Sequence, residues 1–176
     1  MNDLILKAKA FATKAHGDIN QKRKYTGEPY IVHPASVANR VSKITENANQ
    51  ICAAWLHDTV EDTEATIEDI EREFGKDIMI LVEMLTDVSR PDDGNRKIRK
   101  EMDRQHSKLA SPEAKTVKLA DLNDNAYSII KDGKSFAPVF MSEMELLLDV
   151  LKEGDERLYS EAREIVNTYK ASRGKR

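Results

Sequence analysis

Apolar residues recur at three- and four-residue spacings along most of this chain. Leu4, Ala8, Phe11, Ala12 and Ala15 trace one face of an opening amphipathic helix. The stretch from Gly17 to Val32, GDINQKRKYTGEPYIV, breaks that rhythm with glycine, proline and charge, and reads as a polar connector. Pro34 suits the first turn of a second helix, whose buried face is Val37, Ala38, Val41 and Ile44. A third helix is expected from about Asn49 to the dipeptide His57–Asp58. Thr66 and Asp69 then form a capping-box pattern for a short helix that Gly75 can end. Further helices are expected over about 76–86, 95–108, 111–130, 136–152 and 155–171. The 95–108 segment is charged enough to face solvent, and Ser111-Pro112-Glu113 supplies a cap, a proline and an acid at the start of the next. No segment alternates as a strand does and no repeat is visible. The expected fold class is all-α, in a single domain over 1–176.

Composition narrows what such a bundle can do. A chain of 176 residues can bury a sizeable core as one domain. A formal charge of −3 and a pI near 5.9 argue against a nucleic-acid-coating protein, so an anionic ligand needs a local basic site. Cys52 is the sole cysteine, which excludes an internal disulfide framework and fits a reducing compartment. It lies within the apolar run from Ile51 to Leu56 and reads as a small core residue. No apolar run reaches membrane-spanning length and the start MNDLILKAKAF lacks a signal-peptide pattern. The chain is therefore expected to be cytoplasmic, with neither membrane nor nucleic acid as partner.

The chemistry gathers around HDTVEDT. On a continuing helix Glu61 returns to the face of His57 and Asp62 to that of Asp58, or both reach it if the helix unwinds there. One imidazole and three carboxylates thus share a short segment beside Ala53, Ala54, Trp55 and Leu56. Like charges so close are costly without a cation, and mixed imidazole and carboxylate donors suit manganese, iron or zinc better than calcium. A solvated helix end with ordinary acids is the bland alternative. Partners elsewhere favour the metal: His33, placed before Pro34 at a helix start, and Asp121, an acid among Val117, Leu119, Ala120 and Leu122. Asn125 and Ser128 fall on the stripe of Asp121, either lining a polar cavity or facing solvent. His33, His57, Asp58 and Asp121 together make a His₂Asp₂ set with room for water, the pattern of a catalytic rather than a structural metal site. His16 and His106 read as structural or solvated.

RKYTGEPYIVHP, AAWLHDTVEDT, FGKDIMILVEMLTDV and VKLADLNDN occur here in that order. Together they resemble the hydrolase domain of the Rel/Spo alarmone proteins, over about Phe11 to Ile130. The chain is too short to hold those proteins' synthetase and regulatory domains too, so it resembles a stand-alone hydrolase. The resemblance implies Mn²⁺ on His33, His57, Asp58 and Asp121, with Glu61 and Asp62 activating the attacking water. It implies that Arg23, Lys24 and Asn125 hold the nucleotide, and Ser128 continues that stripe. Arginine's planar guanidinium is suited to stacking on a purine, whereas lysine acts as a point charge. Trp55 replaces the family's usual leucine or phenylalanine, and a longer segment between Arg23 and His33 leaves the register of Arg23 against Lys24 open. The implied activity is removal of pyrophosphate from the 3′ position of ppGpp or pppGpp. Two rivals are a related HD phosphohydrolase acting on ppApp or a 2′-phosphorylated dinucleotide, and an inactive alarmone-binding module.

Overall fold

A computed structural model describes residues 2–173. The chain divides into two compact units, residues 1–87 and 88–176. The described residues are helical with no strand, and the all-α expectation is met; the one bridge, Lys22 to Pro29, closes the polar connector on itself. Among the described residues no helix is long and apolar enough to cross a membrane.

The first unit is built from α1 (Asp3–Asp18), α2 (Val32–Ser42), α3 (Ala48–Leu56), α4 (Thr59–Asp62), α5 (Ile67–Phe74) and α6 (Lys76–Leu85). α3 is its centre and packs against α1, α2 and α6. Its Ile51, Cys52, Ala53, Ala54 and Leu56 are all buried, as expected of a helix that is apolar around most of its circumference. Alanine and cysteine there let neighbouring helices approach closely. Phe11 meets Phe74 edge-on at 5.4 Å between ring centroids, which ties α1 to α5. The Thr66–Asp69 capping box forms as its sequence predicts, and Gly75, at φ 84°, ends α5 in a conformation that a side chain would strain.

Burial pushes the Cys52 thiol up to about 11. The fold therefore favours the neutral thiol, a contribution present below the unfolded pKa and lost as pH rises through the folded one. At about 11 rather than 9.0, the folded thiol holds about 100-fold less thiolate than the unfolded chain at pH 8. Alkylation by iodoacetamide is expected to be slower by at least that factor until denaturant is added. Equal rates in native buffer and in denaturant would contradict this placement.

The second unit holds α7 (Arg96–Lys108), α8 (Pro112–Asp132), α9 (Ala137–Leu148) and α10 (Glu156–Arg173). α8 packs on both α9 and α10. Ser111 caps it by accepting from the Ala114 N–H, with Pro112 in its first turn, worth about 1 kcal/mol in helix stability. Asn123, fully buried on α8, donates to the Leu158 carbonyl of α10 at 3.0 Å. Gly154 permits close approach, since a Cβ there would lie 2.6 Å from Leu119 Cδ1. The expectation that the 95–108 helix only faces solvent needs correction. Asp103 and Ser107 are buried, and Asp103 accepts from the Ser89 backbone N–H at 2.9 Å and hydroxyl at 3.0 Å, holding the preceding loop. α9 also stops at Leu148, short of the expected 152.

Candidate active site

His33 and His57 reach one point from two helix ends. His33 sits in the first turn of α2, its N–H donating to the Tyr30 carbonyl at 2.9 Å. α3 stops at Leu56 and α4 restarts at Thr59, so His57 and Asp58 occupy the break between them. The helix does not run through HDTVEDT. Asp58, at φ −100° and ψ −2°, supplies the bend that turns its carboxylate inward. Asp58 Oδ2 lies 3.0 Å from His57 Nε2 and 3.5 Å from His33 Nε2, and the two imidazole rings are 5.2 Å apart. Both histidines are buried.

The donor chemistry fits a divalent cation. His57 Nδ1 lies 2.9 Å from the Ala54 carbonyl, which can only accept, so Nδ1 carries the proton. In a neutral ring Nε2 then offers a lone pair toward the Asp58 carboxylate, an acceptor facing an acceptor. A cation resolves that opposition, and fixing the tautomer through the far nitrogen is how metal-binding histidines are oriented. One donor atom from each of His33, His57 and Asp58 lies within 4.8 Å of the others. Without an ion the imidazoles can protonate instead. Burial pushes the Asp58 carboxyl up, but the positive charges of protonated His57 and His33, with hydrogen bonds from protonated His57 and from Tyr30, outweigh it and hold the group well below the usual carboxylate range.

A model of the HD domain matches residues 8–129, a span that includes this trio. The chain belongs to the HD-domain family. It is 41% identical over 149 residues to the guanosine-3′,5′-bis(diphosphate) 3′-pyrophosphohydrolase MESH1 of Xenopus tropicalis, covering 81% of this chain and 76% of that one. It is 38% identical over 130 residues to the pyrophosphohydrolase of that name from Aquifex aeolicus, which covers 71% of this chain but only 18% of the bacterial protein. The solved structure of a metazoan SpoT ortholog, described as hydrolysing ppGpp and acting in starvation responses, superimposes with a TM-score of 0.85. It shares 26% identity and covers 96% of this chain and 97% of that one. The resemblance to the Rel/Spo hydrolases and the HD-type helical fold are both borne out.

Around the HD trio lie residues of different standing. Asp62, the last residue of α4, is half-buried and accepts from Gln21 Nε2 at 2.9 Å. Burial and then the neighbouring Asp58 charge push its carboxyl up, against smaller opposing effects of Gln21, Tyr30 and His16. Glu61 is exposed, and its carboxylate accepts from the Asp87 N–H at 3.3 Å. The connector is held by Arg23 N–H donating to Glu28 O at 2.8 Å and Gly27 N–H to Arg23 O at 2.9 Å. Within it the Arg23 guanidinium lies 5.9 Å from the Tyr30 ring centroid, whereas Lys24 lies over Tyr25 at 5.6 Å. Arg23 thus shares a ring with the residue whose hydroxyl donates to Asp58 Oδ2 at 2.7 Å.

In the second unit, Asp121 is buried on α8 and accepts from Asn125 Nδ2 at 2.6 Å, with Lys118 Nζ 3.4 Å away. Ser128 is half-buried further along the same helix, and His106 lies on α7. His16 is not solvated: it is buried, with Nδ1 2.7 Å from Gln21 Oε1. Tyr30 and Gln21 are not singled out by the sequence alone, and His16 reads there as structural or solvated. Tyr30 stands three residues before His33, a helical neighbour's spacing that could have marked it. Nothing local marks Gln21, whose partner lies 41 residues away.

Proposed function

We propose that this HD-domain protein hydrolyses the 3′-diphosphate of ppGpp or pppGpp, giving GDP or GTP and pyrophosphate, with Mn²⁺ as its ion. The observation that carries the reading is the convergence of His33 Nε2, His57 Nε2 and an Asp58 oxygen, with the half-buried Asp62 carboxylate one short helix away. The names of its relatives supply the substrate class. In this reading Asp121 is the fourth ligand, while Arg23, Lys24, Asn125 and Ser128 hold the nucleotide. Those assignments rest on the match of RKYTGEPYIVHP and VKLADLNDN to the family's motifs. Manganese suits imidazole and carboxylate donors in an open set. A chain with one buried cysteine and a nucleotide substrate belongs in the cytoplasm.

A divalent ion, when bound, polarises a phosphate oxygen and acidifies water at neutral pH. The chain's own residues supply the rest. Asp62 takes the proton of the attacking water, and Glu61 orients that water. Water adds to the phosphorus bonded to the ribose O3′, that P–O bond breaks, O3′ takes up a proton and pyrophosphate leaves. Arg23, whose guanidinium lies 5.9 Å from the Tyr30 ring centroid, is the side chain this reading assigns to stack on the base, which a guanidinium does without sacrificing its donors.

The test is product analysis on a panel of ppGpp, pppGpp, ppApp and a 2′-phosphorylated dinucleotide. GDP and pyrophosphate from ppGpp, with the guanine substrates turned over fastest, is the expected result. Release of orthophosphate from ppGpp, or turnover of the 2′-phosphate alone, would overturn the reading. Tight binding of ppGpp without turnover would favour an inactive binding module.

A further inference from the structure

We propose that His16 and Gln21 are positioning residues that hold the Asp62 carboxylate in its working orientation, an inference that rests on the hydrolase reading above. α1 ends at Asp18, and Asn20, at φ 49°, turns the chain back in the left-handed conformation that asparagine tolerates. That turn brings Gln21 back beside His16, its N–H donating to the His16 carbonyl at 3.0 Å. On its other side, the Gln21 carbonyl accepts from the Tyr30 N–H at 3.0 Å. The side-chain amide is thus carried by a backbone fixed at both edges, and it spans from His16 to Asp62.

Polarity orders the chain of contacts. An ionised carboxylate only accepts, so the amide nitrogen of Gln21 faces Asp62 Oδ2, at 2.9 Å. Its oxygen then faces His16 Nδ1 at 2.7 Å, which makes Nδ1 the donor. The direction is His16 N–H to the Gln21 carbonyl, then Gln21 N–H to Asp62, each bond polarising the next.

A structural role alone does not account for this histidine. His16 is 1% exposed, and its Nε2 has no hydrogen-bond partner among the described residues. A phenylalanine would pack there without burying an unpaired acceptor. What only the imidazole provides is the N–H on its other side, aimed at Gln21. The same ring lies 4.9 Å from that of Tyr30, which donates to Asp58. His16 therefore backs the supports of both the water-activating acid and the shared metal donor. Asp62 needs such support because it ends a helix of four residues and is only half-buried. A free carboxylate there samples rotamers that do not meet the water, and misorientation on this scale costs about 10- to 100-fold in rate.

The experiment compares kcat and KM for ppGpp, per mole of folded Mn²⁺-loaded protein, with Mn²⁺ affinity measured separately by calorimetry. Gln21→Met keeps the side chain's length and removes both hydrogen bonds, and Gln21→Asn provides a second, polar variant. Both are expected to lower kcat about 10- to 100-fold, with KM within about threefold and Mn²⁺ affinity retained. His16→Phe, which keeps a ring without the N–H, is expected to share the kcat loss, and His16→Asn, which returns an N–H near the position of Nδ1, to recover part of it. Unchanged kcat in both Gln21 variants beside an active wild type would overturn this inference alone. So would equal losses in His16→Phe and His16→Asn. A wild type that releases no pyrophosphate overturns the hydrolase reading beneath it.

Discussion

Asp58→Ala is expected to weaken Mn²⁺ binding by more than about 100-fold and to lower pyrophosphate release from ppGpp by about 1,000-fold or more. Asp58 Oδ2 is the atom that both imidazoles face, at 3.0 Å and 3.5 Å, and the one that the Tyr30 hydroxyl orients. Loss of a residue that merely supports a ligand costs about 10- to 100-fold in metal affinity, so removing a ligand costs more. Alanine also leaves two buried imidazoles without the charge they share. Asp121→Ala is expected to behave as Asp58→Ala does in losing the ion, which tests the fourth ligand of the proposal. Calorimetric titration with Mn²⁺ checks both. Wild-type affinity and stoichiometry in Asp58→Ala would remove the basis of the metal assignment.

Asp62→Asn should separate chemistry from metal binding. The substitution keeps the shape and removes the base, and kcat is expected to fall by about 100- to 10,000-fold while Mn²⁺ binding persists. Glu61→Gln is expected to cost less. Glu61 is exposed and its carboxylate accepts from the Asp87 N–H, a role the glutamine oxygen can keep, whereas Asp62 is half-buried and ordered by Gln21. Steady-state kinetics beside metal titrations distinguish the two. A larger kcat loss in Glu61→Gln than in Asp62→Asn would reverse the roles assigned to the pair.

Features set by local spacing were legible in the sequence. Thr66 with Asp69, Gly75, and Ser111 with Pro112 announced helix ends that formed where their chemistry required. The grouping of His33, His57 and Asp58 was readable because they are scarce residue types in telling neighbourhoods. The helix end at His57–Asp58 was expected too, but the restart as α4 at Thr59 was not, since HDTVEDT carries no glycine or proline to mark it, and the bend falls on Asp58 itself. Asp103 illustrates a second blind spot: in a helix so charged, one acid turned inward to hold Ser89 looks like any other. His16, Gln21 and Tyr30 illustrate a third. Their significance lies in contacts that the connector makes by folding back onto α1 and α4, and periodicity sees faces of helices, not hydrogen bonds between segments far apart in sequence.

Metal-assisted hydrolysis of ppGpp is tested most directly by stripping the purified protein with a chelator, titrating Mn²⁺ back, and monitoring pyrophosphate release from ppGpp. Release that is absent in the stripped protein and returns in proportion to bound Mn²⁺, with GDP as co-product, is the result predicted. Pyrophosphate release at the same rate in stripped and reloaded protein, or none in the reloaded protein at high enzyme concentration, would contradict it.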